Sequence, residues 1–283
     1  MQVSPRIVYI DGHYLPEAVA KISVFDRGFL FADAVYEVSA VIHGRMLDNA
    51  AHLQRLQRSL AALRIPMPLT DTELVLAQEE LIRRNQLREG LLYLQISRGV
   101  ADRDFAIPQG VQPSLVMFTQ AKNLLQNPLV QRGMTVITLE DIRWQRCDIK
   151  TTSLLAASLA KQAALDAGAD DAWLVADGMV KEGTSNNAFI ITQAGCLVTR
   201  ALGNDILHGI TRAAILDLAR EQGLVVEERS FSIQEAYAAR EAFITSAGTF
   251  ALPVVQIDGH LVADGKPGSL TLRLRQLYLE RVG

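Results

Sequence analysis

Four glycine-ended turn dipeptides constrain this chain more than any other feature. Asp11-Gly12, His43-Gly44, Asp177-Gly178 and Asp258-Gly259 each sit between apolar or alternating runs, such as Ile7-Val-Tyr-Ile10 and Val254-Val-Gln-Ile257. A two-residue hairpin loop needs positive φ at its centre, which Asp-Gly and its kin supply, so each pair predicts a hairpin. Helical patterns alternate with these strands. One spans about Ala50 to Leu63, with Leu53, Leu56, Leu60 and Leu63 on one apolar stripe. Thr70 with Glu73 makes a capping box for a second, which continues to about Asn85. A third runs from near Ser153 to a closing Gly168, and a fourth opens at Thr211 and stops at Gly223. Ser232 with Glu235 caps a short fifth, and Ser269 starts an amphipathic carboxyl-terminal helix. The fold class is therefore α/β (α+β).

The polar, irregular stretch 120–128 predicts an interdomain linker, lying between the strand-like Ser114-Leu-Val-Met-Phe118 and Met134-Thr-Val-Ile-Thr138. Residues 1–119 would form a smaller α/β domain, and 129–283 a larger, β-rich one.

Composition excludes several functions. At 283 residues the chain has ample core for folding without disulfides, and 49% hydrophobic with 21% charged residues is ordinary for a globular protein. A net charge of −3 gives no footprint for nucleic acid, and no basic run offers itself to anionic lipid. Cys147 and Cys196 are too few for a disulfide framework or a cysteine-based metal site, and no metal is expected. The start, Met1-Gln-Val-Ser-Pro-Arg, lacks a signal-peptide layout, and no apolar run approaches a membrane helix. A cytoplasmic protein is the expectation.

Three stretches carry chemistry. They read Arg146-Cys-Asp-Ile-Lys150, Glu182-Gly-Thr-Ser-Asn-Asn187 and His208-Gly-Ile-Thr-Arg212. A lysine can hold an aldehyde as a Schiff base, a carboxylate can keep a ring nitrogen protonated, and a helix start bearing a hydroxyl can hold phosphate. Pyridoxal 5′-phosphate (PLP) needs all three. Taken singly each has a bland reading: a solvated lysine, a turn carboxylate, an N-cap threonine. Lys150 differs from the chain's other five lysines because it ends an apolar-polar strand before the helix-entry signal Thr151-Thr-Ser153. Ser246-Ala-Gly-Thr249, after the strand Ala242-Phe-Ile-Thr245, adds amides for the same anion, and Arg55 adds a permanently charged fork.

With these motifs in hand, the chain resembles the fold-type IV PLP-dependent (class IV) aminotransferases, above all those acting on D-amino acids such as D-alanine. The resemblance runs from Tyr9-Ile-Asp-Gly-His-Tyr14 through Asp26-Arg-Gly-Phe-Leu-Phe-Ala-Asp-Ala-Val-Tyr-Glu37 to Asp264-Gly-Lys-Pro, and is most specific in Glu140-Asp-Ile-Arg-Trp-Gln-Arg-Cys-Asp-Ile-Lys150. It implies two domains, the second a β-rich pseudo-barrel that carries the cofactor. It implies that Lys150 forms the Schiff base and shuttles the proton, that Glu182 contacts the pyridine nitrogen, and that Leu207 packs on the ring. Arg55, Ile210, Thr211, Ser246 and Ala247 would bind phosphate. Family members often carry threonine where Ala247 stands, so backbone amides or Thr249 would replace a hydroxyl contact.

For substrate, the resemblance implies a carboxylate trap of tyrosine, arginine and histidine, the latter two on a loop from a neighbouring subunit. Tyr36 matches the tyrosine and Arg103 the arginine; Phe105 stands where the histidine is expected. One charge-assisted donor is missing, a loss of about 1–3 kcal/mol unless replaced. Tyr93 would line the pocket. The implied reaction moves an amino group between a D-amino acid and a 2-oxo acid through a pyridoxamine form of the cofactor, in a homodimer. Alternatives on the same scaffold are a branched-chain L-amino-acid aminotransferase, which the Tyr36 and Arg103 matches disfavour, an (R)-selective amine transaminase, which Phe105 favours, and an aminodeoxychorismate lyase. A PLP-binding protein without turnover is the reading outside catalysis.

Overall fold

The computed structural model describes residues 5–282, so Met1-Gln-Val-Ser, part of the stretch read for a leader, lies outside the described residues. The chain folds into two compact units. One holds the chain up to Leu124 together with Ile149–Ser153; the other holds Leu125–Asp148 and the chain from Leu154 onward. The segment carrying Lys150 thus packs with the first unit, although it lies beyond residues 120–128 in sequence.

In the first unit the strands are β1 (Ile7–Ile10), β2 (His13–Pro16), β3 (Ala34–Ile42), β4 (Arg45–Met46), β5 (Glu89–Ser97) and β6 (Ser114–Ala121). The helices are α1 (Arg27–Phe31), α2 (Asn49–Leu63) and α3 (Asp71–Arg84). The strands form an antiparallel sheet in the order β2-β1-β6-β5-β3-β4. Strand residues alternate faces, and the set Val35, Leu92, Leu94, Ile96, Leu115 and Met117 joins Leu53, Leu56 and Leu60 of α2 and Leu74 and Leu81 of α3 in one core. The predicted capping box is present, with Thr70 accepting from the Glu73 amide and Glu73 accepting from that of Thr70.

The second unit has α4 (Leu129–Arg132), β7 (Met134–Glu140), α5 (Leu155–Asp166), β8 (Asp171–Ala176), β9 (Met179–Gly183), β10 (Asn187–Ile191), β11 (Leu197–Thr199), α6 (Ile210–Glu221), β12 (Val226–Glu228), α7 (Ile233–Tyr237), β13 (Glu241–Ser246), β14 (Phe250–Ile257), β15 (His260–Leu261) and α8 (Ser269–Val282). Its mixed sheet runs β12-β11-β10-β13-β14-β7-β8-β9, with β15 beside β14. The last strand of that path, β9, leads straight into β10 through a turn closed by Gly183 N–H to Asn186 C=O at 2.8 Å. A sheet whose end is tethered to its own interior must curl, which gives the half-barrel shape. The central strand β10 is buried along its whole length. Trp173, Ile190, Ile244 and Val254 fill the core together with Phe231.

All four hairpin dipeptides adopt the expected geometry: φ is +45° and +91° at Asp11-Gly12, +53° and +79° at His43-Gly44, +52° and +72° at Asp177-Gly178, and +49° and +82° at Asp258-Gly259. Both central residues are left-handed, as a type I′ turn demands. No helix among the described residues is long and apolar enough to cross a membrane.

Leu56 is completely buried beneath the first sheet. Leu56→Ala is expected to destabilise the first unit by about 2–5 kcal/mol, read from the shift of its denaturant midpoint; a change below about 0.5 kcal/mol would contradict the packing described.

Candidate active site

The face of the first sheet opposite α2 and α3 carries an aromatic diagonal. Tyr36 on β3 pairs with Gln95 and Val38 with Tyr93 on β5, while Tyr93 faces Phe118 on β6. Period-two alternation therefore puts Tyr36, Tyr93 and Phe118 on one face. Their rings stack, with centroids 5.6 Å apart for Tyr36 and Tyr93 and 4.7 Å for Tyr93 and Phe118. The Tyr93 hydroxyl donates to Gln95 Oε1 at 2.8 Å, and burial raises its pKa. Lys150 joins this face. Its carbonyl accepts from the Tyr36 amide at 2.9 Å, Thr151 bridges Val35, and its Nζ lies 4.0 Å from the Tyr36 ring centroid. It does not end a strand: β7 stops at Glu140, and Lys150 lies in irregular backbone laid against β3.

On the helix-covered face, Glu37 projects toward α2. Arg55 grips it through Nε to Oε1 at 2.8 Å and Nη2 to Oε2 at 2.7 Å, and His52 Nδ1 lies 2.7 Å from Oε2. Burial opposes the Glu37 charge, but the Arg55 charge and hydrogen bonds outweigh it and hold the carboxyl down at about 2. Arg55 is buried at 7% exposure.

Arg103 and Phe105 lie on the loop after β5. The Arg103 guanidinium carbon sits 5.4 Å from the Phe31 ring centroid and 5.5 Å from that of Phe105, and the two rings are 5.6 Å apart. Phe105 is 80% exposed.

In the second unit Glu182 is 3% exposed. It lies in β9 opposite Leu174, not in a turn. Arg143 Nη1 donates to its Oε1 at 2.6 Å, Asn187 Nδ2 to its Oε2 at 2.9 Å, and the Leu207 amide to both oxygens at 3.2 and 3.1 Å. Arg143 is shared, since its Nε and Nη2 donate to Asp141 at 2.9 and 2.8 Å. One guanidinium therefore serves two carboxylates. Burial dominates, and it pushes Glu182 up to about 7 against the lowering effect of Arg143.

Asn187 also donates to the Leu207 carbonyl at 2.9 Å and so ties β10 to the segment entering α6. A Cβ on Gly209 would stand 2.1 Å from Asn187 Oδ1, so only glycine fits beside that amide. The N-cap of α6 is Gly209, with no side-chain cap, and Ile210 and Thr211 are the first two helical residues. Thr211 is thus buried in the first turn and is not the N-cap. Between β13 and β14, Ser246 and Thr249 share a hydroxyl hydrogen bond of 2.8 Å beside Ala247. Arg275 of α8 holds that turn by donating to the Thr249 and Ala251 carbonyls at 2.5 and 3.1 Å.

The structure thus gathers Lys150, Tyr36 and Tyr93 in one unit, and Glu182 and Leu207 in the other. Sequence reading missed Glu37, His52, Asp141 and Arg143. A charge inside the apolar run Ala34-Val-Tyr-Glu-Val-Ser-Ala-Val-Ile42 was the available signal for Glu37.

Comparison with known proteins gives the class. The model of the class IV amino-transferase family matches residues 34–257, and the chain belongs to that family. It is 38% identical over 266 residues to the D-alanine aminotransferase of Bacillus licheniformis, covering 93% of each chain. It is 36% identical over 277 residues to the D-alanine aminotransferase of Listeria monocytogenes serotype 1/2a, covering 97% of this chain and 96% of that one. The branched-chain aminotransferase of the thermophilic archaeon Thermoproteus uzoniensis, solved with norvaline, superposes with a TM-score of 0.85 at 27% identity, covering 99% of this chain and 95% of that chain. Fold-type IV architecture and PLP dependence come with family membership.

The raised Glu182 pKa fixes a pH dependence. The folded protein keeps this proton up to about pH 7, whereas the unfolded chain releases it near the ordinary 4.5. Stability from this group is therefore fully present below about pH 4.5 and lost as pH rises to about 7. In protein stripped of cofactor, the melting temperature of the wild type is expected to fall through this window relative to that of Glu182→Gln. A difference that stays constant with pH would contradict the assignment.

Proposed function

We propose that the chain is a PLP-dependent transaminase that moves an amino group between a D-amino acid, such as D-alanine, and a 2-oxo acid. The observation that carries this reading is the likeness to D-alanine aminotransferases along nearly the full chain.

The residues fit the cofactor. Once Glu182 ionises, the Asp141–Arg143–Glu182 group, one guanidinium between two carboxylates, carries an excess negative charge in a buried place, which a protonated ring nitrogen would balance. The α6 start offers uncapped amides and the buried Thr211 to a phosphate, with Ile210, Ser246 and Ala247 adding backbone groups. Arg55, pre-oriented by Glu37, adds a fixed positive charge. Leu207 would pack against the ring.

When bound, PLP supplies an electron sink for charge left at the donor α-carbon. Lys150 Nζ would hold the cofactor's aldehyde and, as a free amine, would carry the donor's α-proton. Its Nζ lies 4.0 Å from the Tyr36 ring centroid, beside the residue matched to carboxylate capture. Glu182 Oε atoms hold the proton on the ring nitrogen. Tyr36 and Arg103 receive the donor carboxylate, while Tyr93 and Phe105 give the pocket apolar walls.

We also assign a homodimer, in which Arg103 and Phe105 serve a neighbouring subunit. Val24, Phe25, Phe29, Phe105 and Ile107 are large apolar residues exposed in the single chain, and a second copy would bury them. The two free thiols suit a cytosolic location.

An amino-donor panel of D- and L-amino acids and (R)-1-phenylethylamine, run with pyruvate or 2-oxoglutarate, tests the reading. D-amino acids are expected to be the best donors; turnover of L-forms alone would overturn it in favour of a branched-chain activity. Borohydride reduction of the loaded enzyme is expected to label the peptide containing Lys150, and Lys150→Ala to show no sustained turnover.

A further inference from the structure

The loop that bears Arg103 is built onto a buried charge network that no step above uses. Asp33 follows α1 directly. Its Oδ2 accepts from Arg27 Nε at 2.8 Å and from Arg98 Nε at 2.6 Å, and its Oδ1 accepts from Arg98 Nη2 at 2.9 Å. Both arginines are buried, and despite burial, which opposes the charge, their hydrogen bonds hold the Asp33 carboxyl below its usual range. Arg98 stands where the loop leaves β5, and it donates onward to the Leu63 and Arg64 carbonyls at the end of α2, at 2.9 and 3.2 Å. Arg27 reaches the other way. Its Nη1 donates to the Asp104 carbonyl at 2.6 Å and the Ala106 carbonyl at 3.4 Å, the two carbonyls that flank Phe105. Its guanidinium carbon also lies 4.5 Å from the Phe31 ring centroid, and the same ring attracts Arg103. One carboxylate thus fastens the base of the loop through Arg98 and its tip through Arg27, and the Phe31 ring lies close to both Arg27 and Arg103.

An exposed loop of this length would otherwise sample many conformations, and each immobilised residue removes entropy that binding would have to supply. A planar guanidinium with Nε and Nη1 committed to different partners resists rotation in a way an ammonium cannot.

We propose that Arg27, fixed by Asp33, is a positioning residue for substrate recognition, holding the 103–106 segment so that the Arg103 guanidinium meets the donor carboxylate. The inference rests on the carboxylate role given to Arg103 above.

The test uses the holoenzyme. Arg27→Gln is expected to raise KM for D-alanine and for the 2-oxo acid about tenfold with kcat little changed, since a mispointed guanidinium weakens binding. PLP affinity is expected to be unchanged, and protease nicking between residues 101 and 107 to accelerate. Arg27→Lys, which keeps the charge but loses the fork, is expected to fall between the two; should Arg27→Gln fail to fold, Arg27→Lys carries the same measurement. Equal losses in kcat and PLP affinity, or unchanged KM, would overturn the positioning role. Arg103→Leu separates the two levels: if it leaves KM unaltered, the carboxylate role of Arg103 falls and this proposal with it. If it raises KM while Arg27→Gln does not, the positioning role alone falls.

Discussion

The second unit is organised around a carboxylate that it buries almost completely and then partners with only a share of a cation. Removing an ion from water costs several kcal/mol even after relaxation, so Glu182 must recover what it loses from close donors. It recruits three. Arg143 comes from the segment after β7, Asn187 from β10, and the Leu207 amide from the approach to α6. Those recruitments are architectural. Because Leu207 donates to Glu182 and accepts from Asn187, the entry into α6 is pinned to two strands at once. Gly209 sits under Asn187 with no room for a side chain, and α6 begins there. The same network that sets the charge therefore sets where the helix N-terminus starts, which couples the group proposed for the ring nitrogen to the amides proposed for phosphate.

The first unit obeys the same rule with the opposite balance. Glu37 and Asp33 are each met by bidentate guanidinium contacts, so both stay ionised. Their arginines also brace the unit: Arg55 fixes α2 against β3, and Arg98 ties β5 to the end of α2. The sheet then separates duties by face. One side is sealed by α2 and α3, and the other presents Tyr36, Tyr93 and Phe118 as a stacked surface with Lys150 beside it.

Local signals in the sequence revealed local structure. The four glycine-ended dipeptides became type I′ hairpins because two adjacent positive φ values are a demand few other residue pairs satisfy. The Thr70–Glu73 and Ser232–Glu235 capping boxes were legible because their partners lie three residues apart. Lys150, Glu182 and Thr211 stood out because each type carries a distinct chemistry, although Lys150, read as ending a strand, lies in irregular backbone. Arg143 was hidden. Its partnership with Glu182 spans 39 positions, and nothing in a run of Arg and Asp residues says which will be buried. Arg27 was equally silent, since its value depends on carbonyls 77 and 79 residues away.

Phe105 shows how one substitution redistributes work along such a network. A histidine there would add a second charged or hydrogen-bonding group beside Arg103; a phenyl ring adds only a polarisable face, 5.5 Å from the guanidinium. The ring can steady the cation but cannot bond a carboxylate. Under the carboxylate role proposed for Arg103, more of the discrimination falls on the direction in which it points, because a bidentate fork loses most of its advantage when misaligned. A loop relieved of one donor has greater need of a stiff foundation, and the shared Asp33 carboxylate with its two arginines supplies one.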